Sequence, residues 1–380
     1  MTRIQSRRAM ILTTWLGRGN FGGVLQAYAL QVALRSIGIE AVTDSTHPVV
    51  NRVRPIGLIK SEISGLSRGI AMTRAEARRR SHLELDRFIK EHMVTDTLFG
   101  VSGKPRRSVL QSFDTLVVGG DQVWRPNPWI ESFFLDFVAG SEEYNRFAYG
   151  ISFGTDKFTP DEISKFSRLR PLAREFRNIS VREDMGVGLC AELLGVHAQW
   201  VADPVLLLSP DHYRDLCSAW LMTNTGSGLL SYILDDSALK SAIVSDVAGA
   251  VGMNATSVSP PDVPSGRAYQ HDPSHWIKPS MEAWLGAFAN CEFVITDSYH
   301  GVVLALLFHK PFIAIGNRKR GLSRFESLLD HVGLRSRLIT DRSELSFPLP
   351  EIFWTDVQDS LDVLINRGWE FLRNSVMEDH

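Results

Sequence analysis

The chain has only three cysteines in 380 residues. Cys190, Cys217 and Cys291 lie too far apart for a disulfide framework or a metal knuckle, and a reducing cytoplasm is the setting this implies. It also lacks a surplus of charge. With 41 basic and 43 acidic residues the formal net charge is −2, so no nucleic-acid partner is expected and any anion site must be local. No apolar run reaches the roughly 18 residues that a membrane-crossing helix needs. The N-terminus, MTRIQSRRAMILTTWLGRG, is basic and then apolar, but its apolar core is short and no small-residue cleavage site follows. It reads as a first strand. His271, His275, His300, His309 and His331 show no metal-ligand spacing, so neither a metal nor a resident cofactor is expected. Short-period repeats and low-complexity tracts are missing as well.

What is present is an ordinary globular composition, 44% hydrophobic over 380 residues, which suggests two domains. Strand-like runs alternate with helical patterns throughout, the signature of α/β folds with parallel sheets. The strand candidates are MILTTW, IEAVTDS, DTLVVGG, RFAYGISFG, NISVRE, QWVADPVLLL, GLLSYILD, NATSVS, CEFVITDS and KPFIAIGN. The punctuation Asp203-Pro204 and Ser209-Pro210 separates two such series. Residues 1–205 are therefore expected to form one α/β domain, on the acceptor side, and residues 206–350 a second one, carrying DSYHG, that faces it across a cleft. Residues 351–380 read as an amphipathic helix that packs back on the first domain. The segment 52–92 is basic in its middle. It reads either as a solvated helix face or as a peripheral contact with the inner face of an anionic membrane.

Three strand-to-helix loops carry small or polar residues where open parallel sheets bind ligands, beyond the carboxyl ends of strands. The first holds Gly17, Gly19 and Gly22 in a G-x-G-x-x-G pattern. It reads as a dinucleotide fingerprint or as a glycine turn serving another anion; Asp44 lies further downstream than the acid of the fingerprint should. The second is LVVGGDQVWRPNP, with Asp121, Gln122 and Trp124. The third is FVITDSYHGVVLAL, with Asp297, Ser298 and His300. At a fourth strand end, ISVRED places Arg182.

Taken together, GNFGGVLQAYALQVALRSIG, DTLVVGGDQVW, ISVREDMGVGL, VADPVLLL and ITDSYHGVVLALLFHKPFIAIG, in this order, resemble the polysaccharide pyruvyl transferase family over nearly the whole chain. The resemblance implies two Rossmann-like domains in a GT-B-like arrangement. It also implies transfer of an enolpyruvyl-derived group from phosphoenolpyruvate, as co-substrate, onto a sugar of a surface or exopolysaccharide precursor, lipid-linked or free, as a pyruvate ketal. The glycine loop then becomes a turn that brings backbone N–H groups and Asn20 to the cleft.

On this reading His300 is the general acid and Asp297 its carboxylate neighbour. Arg182, Ser298, Arg320, Arg324, Asn20 and Gly22 contact the donor anion. Asp121, Gln122 and Trp124 contact the acceptor, two polar groups for hydroxyls and an indole for a ring face. Many relatives carry an arginine two residues before the histidine, in an S-x-R-L-H pattern; here that position is Ser298. The competing readings are a nucleotide-sugar-dependent GT-B glycosyltransferase and a non-catalytic carbohydrate-binding protein.

Overall fold

The computed structural model describes residues 7–46, 79–100, 102–224, 226, 228–258, 277–316 and 321–377. Two wholly parallel sheets organise them. The first contains β1 (Arg8–Leu12), β2 (Glu40–Asp44), β3 (Thr95–Asp96), β4 (Thr115–Gly119), β5 (Asn145–Ile151), β6 (Asn178–Val181) and β7 (Gln199–Trp200). Their spatial order is β3-β2-β1-β4-β5-β6-β7. The second contains β8 (Leu229–Tyr232), β9 (Ala255–Ser257), β10 (Phe293–Thr296), β11 (Phe312–Ile315) and β12 (Leu338–Ile339), in the order β12-β11-β10-β8-β9. The first is the doubly wound dinucleotide-type order and the second the flavodoxin-type order. The molecule is two Rossmann-like α/β units facing across a cleft, the GT-B arrangement.

The apolar runs form central strands because both of their faces are covered. In β1, Ala9 and Ile11 pack into one core layer while Met10 and Leu12 pack into another. The helix Phe21–Ser36 is likewise apolar nearly all round. Its Leu30, Ala33 and Leu34 lie on the first sheet, and its Phe21, Val24, Leu25 and Tyr28 join a core shared with the second unit. Phe21 stacks on Trp284 of that unit at 5.2 Å. A helix buried between two units needs no polar face.

The C-terminal helix Trp354–Val376 returns to the first sheet, where Phe371, Leu372 and Val376 pack with Ile11, Val117 and Tyr149. Of the segment 52–92, residues 52–78 lie outside the described residues. Its described end packs inward: in the helix Leu83–His92, Leu85 and Phe88 are buried, and Phe88 meets Tyr28 edge-on at 5.4 Å. No described helix is long and apolar enough to cross a membrane.

Candidate active site at the interdomain cleft

Each sheet has a switch point where strand order reverses, between β1 and β4 in the first and between β8 and β10 in the second. Ligand crevices of open α/β sheets form at such points. Here the loops beyond β1, β4 and β6 converge on the loop beyond β10.

The turn after β1 ends in Asn20, which caps the helix Phe21–Ser36 by accepting the Gly23 N–H at 3.1 Å. Its amide also donates to Asp121 Oδ2 at 3.3 Å. Gly22 is fixed by a neighbour from the other unit: a Cβ there would lie 2.2 Å from Nδ1 of His300. Past β4 the backbone turns left-handed at Gly120 and Asp121, with φ of 58° and 50°. Gln26 Oε1 occupies the place of a Cβ at Gly120, 1.4 Å away, so only glycine fits. Asp121 accepts the left-handed conformation, which aspartate tolerates better than most residues, and its Oδ2 also accepts from Thr14 Oγ1 at 3.3 Å.

Arg182 follows β6 with a side chain 0% exposed. It donates from Nη2 to Asp121 Oδ1 at 3.1 Å and from Nη1 to Asp203 Oδ2 at 3.0 Å. Arg182 is therefore a strut rather than the free donor contact expected from sequence, because burying a guanidinium demands these counter-charges. Two further expectations are corrected in the same way. Trp124 is fully buried, stacked on Phe134 at 4.4 Å and donating to the Phe133 carbonyl, so it offers no ring face to a sugar. Asp297 does not accompany His300. Its carboxylate accepts the backbone N–H groups of Leu234 and Asp235 and Lys240 Nζ at 2.7, 3.1 and 2.6 Å, which ties β8 to β10.

Ser298 caps the helix Tyr299–Leu307 by accepting the Gly301 N–H, so its hydroxyl serves the helix rather than an anion. Gln122 is half-buried and accepts from Arg125 Nη1 at 3.2 Å, beside Gly154. Arg320 lies outside the described residues.

His300, on the first turn of that helix, is buried with no hydrogen-bond partner at Nε2. The carboxylate it faces is Asp203 Oδ2, at 3.6 Å. Nothing local in the sequence marks Asp203 as a site residue, because Asp-Pro signals a break. Beside them Tyr299 lies between two guanidinium groups, Arg182 at 4.8 Å and Arg324 at 5.8 Å from its ring. Arg324 is half-buried and makes no ion pair or hydrogen bond among the described residues. Glu183 accepts from Ser152 Oγ and the Phe153 N–H at 2.8 and 3.1 Å through Oε1, while Oε2 makes no hydrogen bond and lies 4.0 Å from Arg182 Nε.

The electrostatics follow from this packing. Burial pushes against the Asp203 carboxylate, yet His300, Arg182 and the Val205 N–H overcome it and hold its pKa at about 2. Asp121 is lowered too: burial opposes it, and Arg182, His300 and Arg324 prevail. For Glu183 burial prevails over Arg182 and the Ser152 bond, and the pKa rises. Burial, then repulsion from Arg182, pulls Arg324 down to about 10. The cleft thus offers two ionised aspartates, an imidazole whose Nε2 faces Asp203 without a hydrogen bond, and a guanidinium with no ion pair among the described residues. Among the described residues no group of three or more His, Cys, Asp or Glu side chains could hold a metal.

A family model described as polysaccharide pyruvyl transferase matches residues 20–319, which include every one of these groups except Arg324. The chain belongs to the polysaccharide pyruvyl transferase family. It is thereby placed in a family of transferases of polysaccharide biosynthesis. No curated protein matches it. Among solved structures, an S. aureus MnaA–UDP complex is similar over 97% of this chain and 91% of its own, at 13% identity and a TM-score of 0.43. A UDP-GlcNAc 2-epimerase from Neisseria meningitidis bound to UDP-GlcNAc shares 9% identity over 98% and 94% of the two chains, with a TM-score of 0.44. The wall teichoic acid polymerase TagF shares 8% identity over 97% and 82%, at 0.43.

Proposed function

We propose that this pyruvyl transferase family member moves the enolpyruvyl-derived group of phosphoenolpyruvate onto two hydroxyls of a sugar in a polysaccharide precursor, releasing phosphate. The observation that carries the reading is Arg324, a guanidinium that makes no ion pair or hydrogen bond among the described residues and lies over Tyr299, the residue packed against the buried imidazole of His300. Such an arrangement suits a small dianion or trianion that must be protonated on carbon. Arg324 takes the place of the arginine missing at Ser298, and the free N–H groups at Phe21 and Gly22 add donors at a helix N-terminus.

The chemistry then divides among the residues. One sugar hydroxyl adds to C2 of phosphoenolpyruvate while His300 gives its proton to the methylene carbon, making a methyl group. Asp121, ionised, accepts the proton of that hydroxyl. The C2–O bond to phosphate breaks with its electron pair, and phosphate leaves carrying the proton held by Asp121. The second hydroxyl closes the ketal on the resulting oxocarbenium centre and returns its proton to His300. Gln122 and Asp121 orient the acceptor.

The test is phosphate release from phosphoenolpyruvate with a panel of lipid-linked and free sugars. Release that depends on both partners supports the reading. Its absence across the panel, together with tight binding of a nucleoside diphosphate, would replace it with nucleotide-sugar transfer. Contact with an anionic membrane through residues 52–92 is part of the proposal, since a lipid-linked acceptor would lie there. It is checked by sedimentation with anionic and neutral vesicles.

A further inference from the structure

We propose that Asp203 is the positioning carboxylate of His300, and that His300 delivers its proton from Nδ1 toward the glycine loop. This rests on the reading of His300 as the acid. Asp203 Oδ1 is fixed by the Val205 N–H at 3.0 Å, and Oδ2 by Arg182 Nη1 at 3.0 Å. The side of Oδ2 that remains faces Nε2 of His300 at 3.6 Å, a nitrogen with no other partner. A small rotation of the ring closes that gap to a hydrogen bond. The other titratable groups facing Asp203 are Tyr149, Tyr213 and Tyr299, which burial holds in the neutral form. No other carboxylate competes for His300 Nε2 within ion-pair distance among the described residues.

The opposite edge of the ring packs against Gly22, and Nδ1 makes no hydrogen bond among the described residues. Nδ1 is the His300 atom nearest to where a Cβ of Gly22 would stand, 2.2 Å away, so any larger residue at position 22 would cover it. With Nε2 turned to Asp203, Nδ1 is the nitrogen that can reach a substrate at the N-terminus of the helix Phe21–Ser36. The pair also spans the cleft. Asp203 leaves β7 of the first unit, whereas His300 follows β10 of the second. The acid is therefore assembled only when the two units close on each other.

Two readouts test this on the full chain. Nitrogen NMR of histidine-labelled protein, with the His300 signals assigned by their loss in His300→Gln, reports which nitrogen carries the proton in the neutral ring. The proton is expected on Nε2 in the wild type; finding it on Nδ1 overturns the proposal. In Asp203→Asn the preference for Nε2 should disappear. Phosphate release from phosphoenolpyruvate should fall about 10²-fold in kcat, with KM changed less than about threefold. Asp203→Glu should recover part of the loss. An equal effect on KM with an unchanged tautomer would mean that Asp203 serves Arg182 alone, and overturns the proposal. If the wild type releases no phosphate, the pyruvyl reading fails and the tautomer still decides the role of Asp203. If Asp203→Asn does not fold, the wild-type tautomer decides it.

Discussion

Asp203 and Asp297 look alike by any local measure. Both follow a parallel strand, and their side chains are 0% and 3% exposed. The difference lies in where their partners come from. Asp297 spends its carboxylate on Leu234, Asp235 and Lys240, all within the second unit. Asp203 reaches Val205 and Arg182 in its own half and then faces an unpartnered imidazole across the cleft. A carboxylate spent on its own unit's backbone and a buried lysine, as Asp297 is, holds a shape, whereas one that faces an open nitrogen of another unit, as Asp203 does, can govern a proton. Adjacency in sequence points to Asp297, whereas the ion-pair geometry points to Asp203.

The largest effect should come from the cleft side of this comparison. His300→Ala is expected to lower kcat for phosphate release by about 10²–10⁴, with donor binding weakened much less. His300→Gln keeps a hydrogen-bond donor but transfers no proton, and should be nearly as poor. Near-normal turnover in the Gln variant would make His300 a positioning residue and dissolve the contrast.

The second prediction addresses the other aspartate. Asp297→Asn leaves Lys240 buried without its counter-charge, and should cost about 3 kcal/mol of unfolding free energy in denaturant. Well below the unfolding midpoint, kcat should stay within about threefold of wild type. A loss of kcat comparable to that of His300→Ala, with stability intact, would return Asp297 to the proton machinery. Smaller still is the effect expected of Arg324→Ala. Loss of one charge-assisted contact, about 1.5–3 kcal/mol, should raise KM for phosphoenolpyruvate by about 10- to 100-fold while the kcat at saturation changes little. An unchanged KM would mean that Arg324 only packs on Tyr299.

The fold was largely readable because its strands are covered on both faces and so appear as unbroken apolar runs. The ten strand candidates all overlap an observed strand, and the long final helix runs as its periodicity predicts, from Trp354 to Val376. The two strands that escaped, β3 and β12, are two-residue edge strands with no run to detect. In QWVADPVLLL the Asp-Pro break won: only Gln199–Trp200 is strand, and Pro204–Leu207 is a short helical turn. At the site, the loops could be located but not the partners. The convergence of Arg182 on Asp121 and Asp203 joins three strand ends far apart in sequence. An indole such as Trp124 gives no sign in sequence of whether it faces solvent or Phe134. For Arg324 the sequence shows a basic residue, yet that it makes no ion pair or hydrogen bond among the described residues appears only in three dimensions.

A third aspartate sharpens the comparison with the smallest effect, and it has a sign that can be worked out. Asp44, at the end of β2, stands near where a dinucleotide fingerprint would have its acid. Its Oδ1 accepts from the Leu98 N–H at 2.9 Å, the Thr46 N–H at 3.0 Å and Thr46 Oγ1 at 2.6 Å, and no cation pairs with it among the described residues. Burial, outweighing these bonds and aided by the nearby Asp96, raises its pKa to about 6. The unfolded value is about 3.9. The folded state therefore favours the protonated carboxyl, and the stability this gives is present below about pH 4 and lost as pH rises through about 6. Asp203 has the opposite sign: its contribution is present above about pH 4 and lost only as pH falls toward about 2. Between pH 4 and 6 only Asp44 of the two changes charge. Asp44→Asn keeps an acceptor at Oδ1 and cannot ionise. Measured by urea unfolding at stepped pH, wild type should lose about 1–3 kcal/mol relative to this variant between pH 4 and 7. Parallel stability curves would show that Asp44 has found a cation after all, and that burial alone does not separate the three aspartates.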